Sequence, residues 1–296
     1  MIRNITWQAT LTLLGIGLAF GILFKLNTDE PTIEVPTAGG TYVEGVLGYW
    51  GTINPILAPL IVPGNPADQD LAALVFDGLT TMDEAGQVVP MLATDWDLSE
   101  DGRVYEFHLR REVNWHDDAP VTAADVAFTV QAMQDPDFQG DPALREVWRN
   151  VAVEQVDSLT VRFTLDEPFP SFIYYTAIGL LPAHLLGDVA AADLPTHEFS
   201  TRQPVGSGMF QVESVQPDRV VLAANPDYWG SRPYLEHLEF WFYGDENGLL
   251  VDYDRGAVHG FHPSGPQAIR SLARLRDLEI YSAPSAGYGI VYLNLE

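Results

Sequence analysis

The chain has 296 residues, 47% of them hydrophobic and 19% charged, a balance that supports one or two packed domains. Against 41 Asp and Glu stand 15 Lys and Arg, leaving a net charge of −26. Such a field repels phosphate backbones and argues against nucleic-acid binding. With no cysteine in the chain, disulfides, thiolate nucleophiles, Cys-ligated zinc and iron–sulfur clusters are excluded.

No charged residue lies between Arg3 and Lys25. At about 1.5 Å per residue, residues 4–24 can cross a hydrocarbon core of about 30 Å. Arg3 and the α-amino group favour a cytoplasmic N-terminus. Residues 1–27 are therefore expected to be a transmembrane anchor or signal; Leu26-Asn27-Thr28 offers no A-x-A-like cleavage site, which favours the anchor. Residues 28–40 mix Pro31, Pro36, Gly39 and Gly40 with acidic side chains and read as a linker.

A mixed α/β pattern follows. Residues 42–47 read as a strand, and residues 48–55 as a Gly- and Pro-rich loop. Pro66 suits a helix start, with Leu71, Leu74, Val75 and Gly78 at helical spacing behind it. Residues 104–110 alternate after the turn signal Asp101-Gly102, which puts Tyr105, Phe107 and Leu109 on one face. Leu92, Trp96 and Trp115 join them as expected core residues. Thr122 to Asp125 resembles a capping box, after which Val126, Val130 and Met133 form an apolar stripe that Pro136 ends. Residues 151–156 and 159–165 flank Asp157-Ser158 as a hairpin. Residues 208–215 and 219–224 read as a second strand pair, and residues 235–243 as a long apolar strand. Residues 267–275 suit a short amphipathic helix, and residues 288–295 a strand with nothing after it. That ending reads as truncation.

Isolated chemistry is sparse. His116-Asp117-Asp118 reads as a turn with side-chain-to-backbone bonds before it reads as a metal site. His259 and His262 have helical ligand spacing, but Pro263 and nearby glycines favour a loop. Gly206-Ser207-Gly208 lacks the G-x-S-x-G pattern of a nucleophile elbow and reads as a flexible crossing point. No Ser/His/Asp arrangement or paired carboxylate stands out, so no catalytic residue, cofactor or metal ligand is expected.

Read in order, several segments form a series. Ile53-Asn54-Pro55 precedes Leu74-Val75-Phe76-Asp77-Gly78-Leu79, then Pro90-Met91-Leu92-Ala93 and Asp101-Gly102-Arg103-Val104-Tyr105-Glu106-Phe107. Val113-Asn114-Trp115-His116-Asp117 leads to Pro120-Val121-Thr122 and Leu181-Pro182-Ala183-His184. Pro204-Val205-Gly206-Ser207-Gly208 and Asn225-Pro226-Asp227-Tyr228-Trp229-Gly230 complete it. Over residues 41–296 the series resembles the family 5 extracellular solute-binding proteins of ABC transporters, the peptide and nickel group. There are departures: Asp118 stands where relatives usually have Gly, Ser207 and Met209 replace a Thr and a Pro, and residues 254–259 keep only a trace of the usual pattern.

The resemblance implies an α/β periplasmic-binding-protein-like lobe with an inserted α+β subdomain. Residues 41–75 and 176–290 would form the lobe, residues 76–175 the insertion, and residues 291–296 the start of a crossover to a second lobe that is missing. It also implies an extracytoplasmic carrier of peptides or related small solutes, working with a membrane permease. Relatives present the stretch before the N-P pair to the ligand, so Tyr49, Trp50, Gly51, Thr52 and Asn54 are the expected contacts. An extended ligand could pair there with backbone groups. A membrane-anchored sensor, a nickel carrier and a metal-dependent hydrolase are the alternatives.

Overall fold

The structure, a computed structural model, describes residues 37–262. The expected membrane segment, most of the linker, the helix at 267–275 and the last strand lie outside the described residues. Among the described residues no helix is long and apolar enough to cross a membrane.

Strand β1 (Thr41–Leu47) alternates, with Val43 and Gly45 turned inward. It lies at the middle of its pairing. On one side it runs parallel to β10 (His237–Tyr243), on the other parallel to β11 (Gly260–Phe261). Beyond β10 come β9 (Arg219–Ala224) and β8 (Phe210–Gln216), an antiparallel pair, giving the order β11-β1-β10-β9-β8. Gly45 faces Leu249 of helix α7 (Glu246–Asp254), which packs on β1.

Helix α1 (Pro66–Val75) begins as expected, with Asn65 as N-cap and Pro66 in the first turn. Leu71, Ala72 and Val75 are its buried stripe. The helix stops before the expected Gly78, because Phe76 leaves the helical region with ψ 134°. A short hairpin follows, β2 (Thr80–Met82) and β3 (Val88–Pro90).

A second sheet runs β4-β5-β7-β6 and is antiparallel throughout: β4 (Ala93–Leu98), β5 (Val104–Leu109), β6 (Ala152–Asp157) and β7 (Thr160–Thr164). One face is charged, with Arg162 between Glu106 and Glu154. The other carries Tyr105, Phe107, Val161 and Phe163, all buried. Phe163 meets Phe107, Trp148 and Phe172 edge-on at 5.6–5.7 Å between ring centres, the arrangement aromatic quadrupoles favour. Trp96, expected in the core, is only partly buried.

Helix α2 (Ala123–Gln134) covers this sheet with Val126, Val130 and Met133. At its start Asp125 accepts from the Thr122 amide at 2.8 Å and from the Ala183 amide at 2.9 Å. Its carboxylate thus caps α2 and holds the short helix α5 (Ala183–Leu186). The other short helices are α3 (Pro142–Trp148), α4 (Phe172–Tyr175) and α6 (Glu198–Thr201). At seven residues or fewer these carry too little periodicity to be read from sequence.

Candidate functional site

Parallel strands β1 and β10 end side by side, with Leu47 opposite Tyr243, and the Gly48 amide donates to the Tyr243 carbonyl at 2.9 Å. The loop leaving β1 therefore sits at the carboxyl edge of parallel strands, where open α/β sheets hold ligands. Tyr49 is 77% exposed there. Trp50 is half-buried against the core, and its indole N–H donates to the Gln216 carbonyl at 3.1 Å. Gly51 is exposed and Thr52 partly so.

Asn54 goes elsewhere. It is 0% exposed; its amide donates to the Ser200 hydroxyl at 2.9 Å and its Oδ1 accepts from the Ile56 amide at 3.1 Å. The structure thus brings Tyr49, Trp50, Gly51 and Thr52 together at the surface and takes Asn54 into the interior as a turn residue.

Two residues that sequence reasoning passed over hold this loop. Asn65 donates from Nδ2 to the Tyr49 carbonyl at 2.8 Å, and Asp68 accepts the Gly51 amide at 2.7 Å. Burial pushes the Asp68 carboxyl up, and the amides of Gly51 and Thr52 oppose that shift. From the other side the Ser200 carbonyl accepts the Ile53 amide at 2.8 Å and the Thr52 hydroxyl at 3.3 Å. The signal in the sequence was Asn65-Pro66-x-Asp68, which has capping-box spacing and reads as a helix start only.

The glycine loop is a tight packing point. A Cβ on Gly206 would overlap the Val75 carbonyl oxygen, so only glycine lets the chain lie against the end of α1. His116 bonds to this loop through both ring nitrogens. Nδ1 accepts the Gly206 amide at 3.1 Å, and Nε2 lies 3.0 Å from the Gly208 carbonyl. That pairing requires a neutral ring with its proton on Nε2, and burial lowers the His116 pKa in the same sense.

Asp77, next to this loop, accepts the Trp229 indole N–H at 2.9 Å, and Arg110 stacks on that indole at 4.4 Å. Burial raises the Asp77 carboxyl to about 7 against the opposing hydrogen bonds of Trp229 and Tyr228. It lines a cavity of about 90 Å³ with Pro55, Gln69, Phe76, Met91 and Ile178. That volume is well below the roughly 300 Å³ at which small-molecule sites begin.

No metal centre forms among the described residues. His259 serves strand pairing instead: its Nδ1 accepts the Val43 amide at 2.9 Å, and its own amide donates back to the Val43 carbonyl at 2.9 Å. The His116–Asp118 segment is the expected turn, closed by Asp118 N–H to Trp115 O at 2.9 Å.

The family described as bacterial extracellular solute-binding proteins, family 5 (middle part), matches residues 87–296. The chain belongs to this family. Among family relatives, the oligopeptide-binding protein AppA of Bacillus subtilis is 30% identical over 77% of this chain and 41% of its own length. The dipeptide-binding protein of Escherichia coli is 26% identical over 71% of this chain and 43% of its own. The structure of B. subtilis AppA in complex with a nonapeptide aligns at TM-score 0.73 and 27% identity, covering 83% of this chain and 48% of AppA. NikZ of Campylobacter jejuni in complex with Ni(L-His) aligns at 0.69 and 25%, covering 80% and 46%. The mixed α/β architecture is thus that of periplasmic binding proteins. The chain spans less than half the length of these relatives.

Proposed function

We propose that this chain contributes one lobe of an extracytoplasmic solute-binding component of an ABC importer, and that residues 49–52 are its ligand-facing edge for a peptide or related small solute. The carrying observation is the placement of Tyr49 and Trp50 at the shared carboxyl end of parallel strands β1 and β10, open to solvent. An exposed Tyr and a half-buried Trp offer broad apolar contact together with polar handles. AppA of Bacillus subtilis suggests the ligand class, since it is named for oligopeptides and its structure is in complex with a nonapeptide.

In this reading residues 41–75 and 176–290 build the lobe and residues 76–175 are inserted into it. The separation of the five-stranded sheet, drawn from β1 and β8–β11, from the four-stranded sheet of β4–β7 supports that division. Residues 4–24 tether the domain to the membrane, an inference supported by the uncharged run between Arg3 and Lys25. The partner is a membrane permease that responds when ligand closes two walls on each other.

Residues 49–52 are an open edge, and one wall buries too little of a peptide to hold it tightly. Amide NMR of the 296-residue chain in detergent, titrated with the Ala-Ala dipeptide, tests the reading. Shifts centred on residues 48–52, with affinity no tighter than millimolar and loss of the response in the Tyr49→Ala/Trp50→Ala double variant, are expected. Shifts confined to other regions would overturn the site, and micromolar affinity would overturn the single-wall reading.

A further inference from the structure

We propose that Asn65 and Asp68, in the first turn of α1, are positioning residues that clamp the backbone of residues 49–52 and leave the N–H and C=O of Trp50 to an extended ligand. The inference rests on the reading of residues 49–52 as the ligand-facing edge and deepens it, by assigning which peptide unit is offered and what holds it.

Asn65 performs two tasks with its two amide atoms. Oδ1 accepts the Ala67 amide at 3.2 Å, which caps the helix, while Nδ2 donates to the Tyr49 carbonyl at 2.8 Å. Capping needs only the oxygen, so aspartate would cap equally well. The nitrogen is required only by the loop.

Asp68 occupies the third helical position, from which an acidic side chain commonly reaches back to the N-cap amide. Its carboxylate is instead directed to Gly51, with the Thr52 amide nearby. The residue is 7% exposed and forms no salt bridge among the described residues. A buried carboxylate without a cation is costly unless amides or a helix N-terminus stabilise it, and here both do. A role in helix capping alone accounts for neither its direction nor its burial.

The outcome is a loop pinned at several points, in which Trp50 is the residue of 48–53 left open at both its N–H and its C=O among the described residues. The Tyr49 carbonyl and the amides of Gly48, Gly51 and Ile53 are all engaged. Within the described residues the Trp50 N–H and C=O have no partner. A residue with both groups open is the smallest unit with which an extended chain can form a hydrogen-bonded pair. The Trp50 indole, tied to Gln216, keeps that unit from rotating inward.

Hydrogen exchange on the 296-residue chain reads the clamp without any ligand. In the wild type the Gly51 amide should exchange at least about tenfold more slowly than the Trp50 amide, as one intact hydrogen bond of about 1.4 kcal/mol requires. Asp68→Ala should bring Gly51 to the Trp50 rate while the amides of residues 71–75 and 43–46 keep their protection. Asn65→Asp retains the cap, so it should leave α1 protected while the Tyr49–Trp50 unit loosens. The Gly51 amide shift should follow the protonation of Asp68 in the wild type and stop doing so in Asp68→Asn, which identifies Asp68 as the group that holds this amide. Equal exchange at Gly51 and Trp50 in the wild type, or loss of α1 protection in Asn65→Asp, would overturn the clamp. Ala-Ala then separates the two ideas. A wild-type response at Trp50 that Asp68→Ala abolishes supports positioning, and a response unchanged in Asp68→Ala overturns it. Slow Gly51 exchange with no response at residues 48–52 overturns the ligand-facing reading and leaves the clamp measured.

Discussion

Asp77 is 3% exposed, and no salt bridge reaches it among the described residues, so its carboxyl is held near pH 7 by burial, against a usual 3.8. The folded protein keeps this proton over a range in which the unfolded chain has lost it. The associated stability is full below about pH 4 and is lost as pH rises through about 7. Asn at this position stays neutral and can still accept the Trp229 N–H. Urea melts of the Asp77→Asn variant should match the wild type near pH 3.5, pull ahead of it progressively as pH rises, and exceed it at pH 8 by about 2–4 kcal/mol, the order a shift of this size implies. Equal gaps at both pH values would contradict the assignment. Asp118 sits in left-handed backbone at φ 69°, a region where a Cβ is strained. The Asp side chain there is therefore a local cost, and Asp118→Gly should raise stability by about 0.5–1 kcal/mol, or roughly 1–4 °C in Tm. A lower Tm would show that the Asp side chain contributes more than the strain removes. Sequence alone exposed this position through the resemblance, but Asn54 was misleading. An Asn-Pro pair signals a turn and does not reveal that the amide turns inward to Ser200, 146 residues away.

Among the elements, the contact between the end of α1 and the glycine loop is the least tolerant. Gly206→Ala would drive a methyl group into the Val75 carbonyl, and either backbone must move. The variant should lose about 3 kcal/mol or more in thermal or urea unfolding, beyond what propensity alone would give. A loss under about 1 kcal/mol would show that this junction yields easily. The glycines of this loop, read from sequence as a flexible crossing, are rigid because His116 and Val75 leave them no slack. Three strands of the four-stranded sheet were legible because their information is local: the alternation in β5 after Asp101-Gly102, and the β6–β7 hairpin around Asp157-Ser158. Strand β4 and the pairing of β5 with β7 were not, since that pairing joins residues more than 50 apart. The partners of β1 were not legible, since no local pattern says that residues 41–47 lie between β10 and β11. The clamp at Asn65 and Asp68 was hidden for a related reason: a cap and a loop anchor require the same residue types at the same spacing.

At the scale of the molecule, 41 acidic residues stand against 15 Lys and Arg, leaving a net charge of −26. Self-repulsion of this kind is screened over about 8–10 Å at physiological salt. Raising the salt from low to physiological concentration should therefore increase stability by an amount on the order of 1 kcal/mol, read as a rise in Tm, with sodium and potassium chloride equivalent. A salt-independent Tm would mean that local pairs such as Arg162 with Glu106 and Glu154 already neutralise the field. The position of β1 also has a consequence for biogenesis. Its parallel neighbours begin at His237 and Gly260, roughly 200 residues further along the chain. At synthesis rates of about 5–20 residues per second, β1 emerges some 10–40 s before either of these two strands exists. The β4–β7 sheet has all its strands by Thr164 and can assemble meanwhile. Strand β1, which leads into residues 48–52, is thus made well before the strands it pairs with, and the nascent chain must keep an unsatisfied edge out of trouble through that interval.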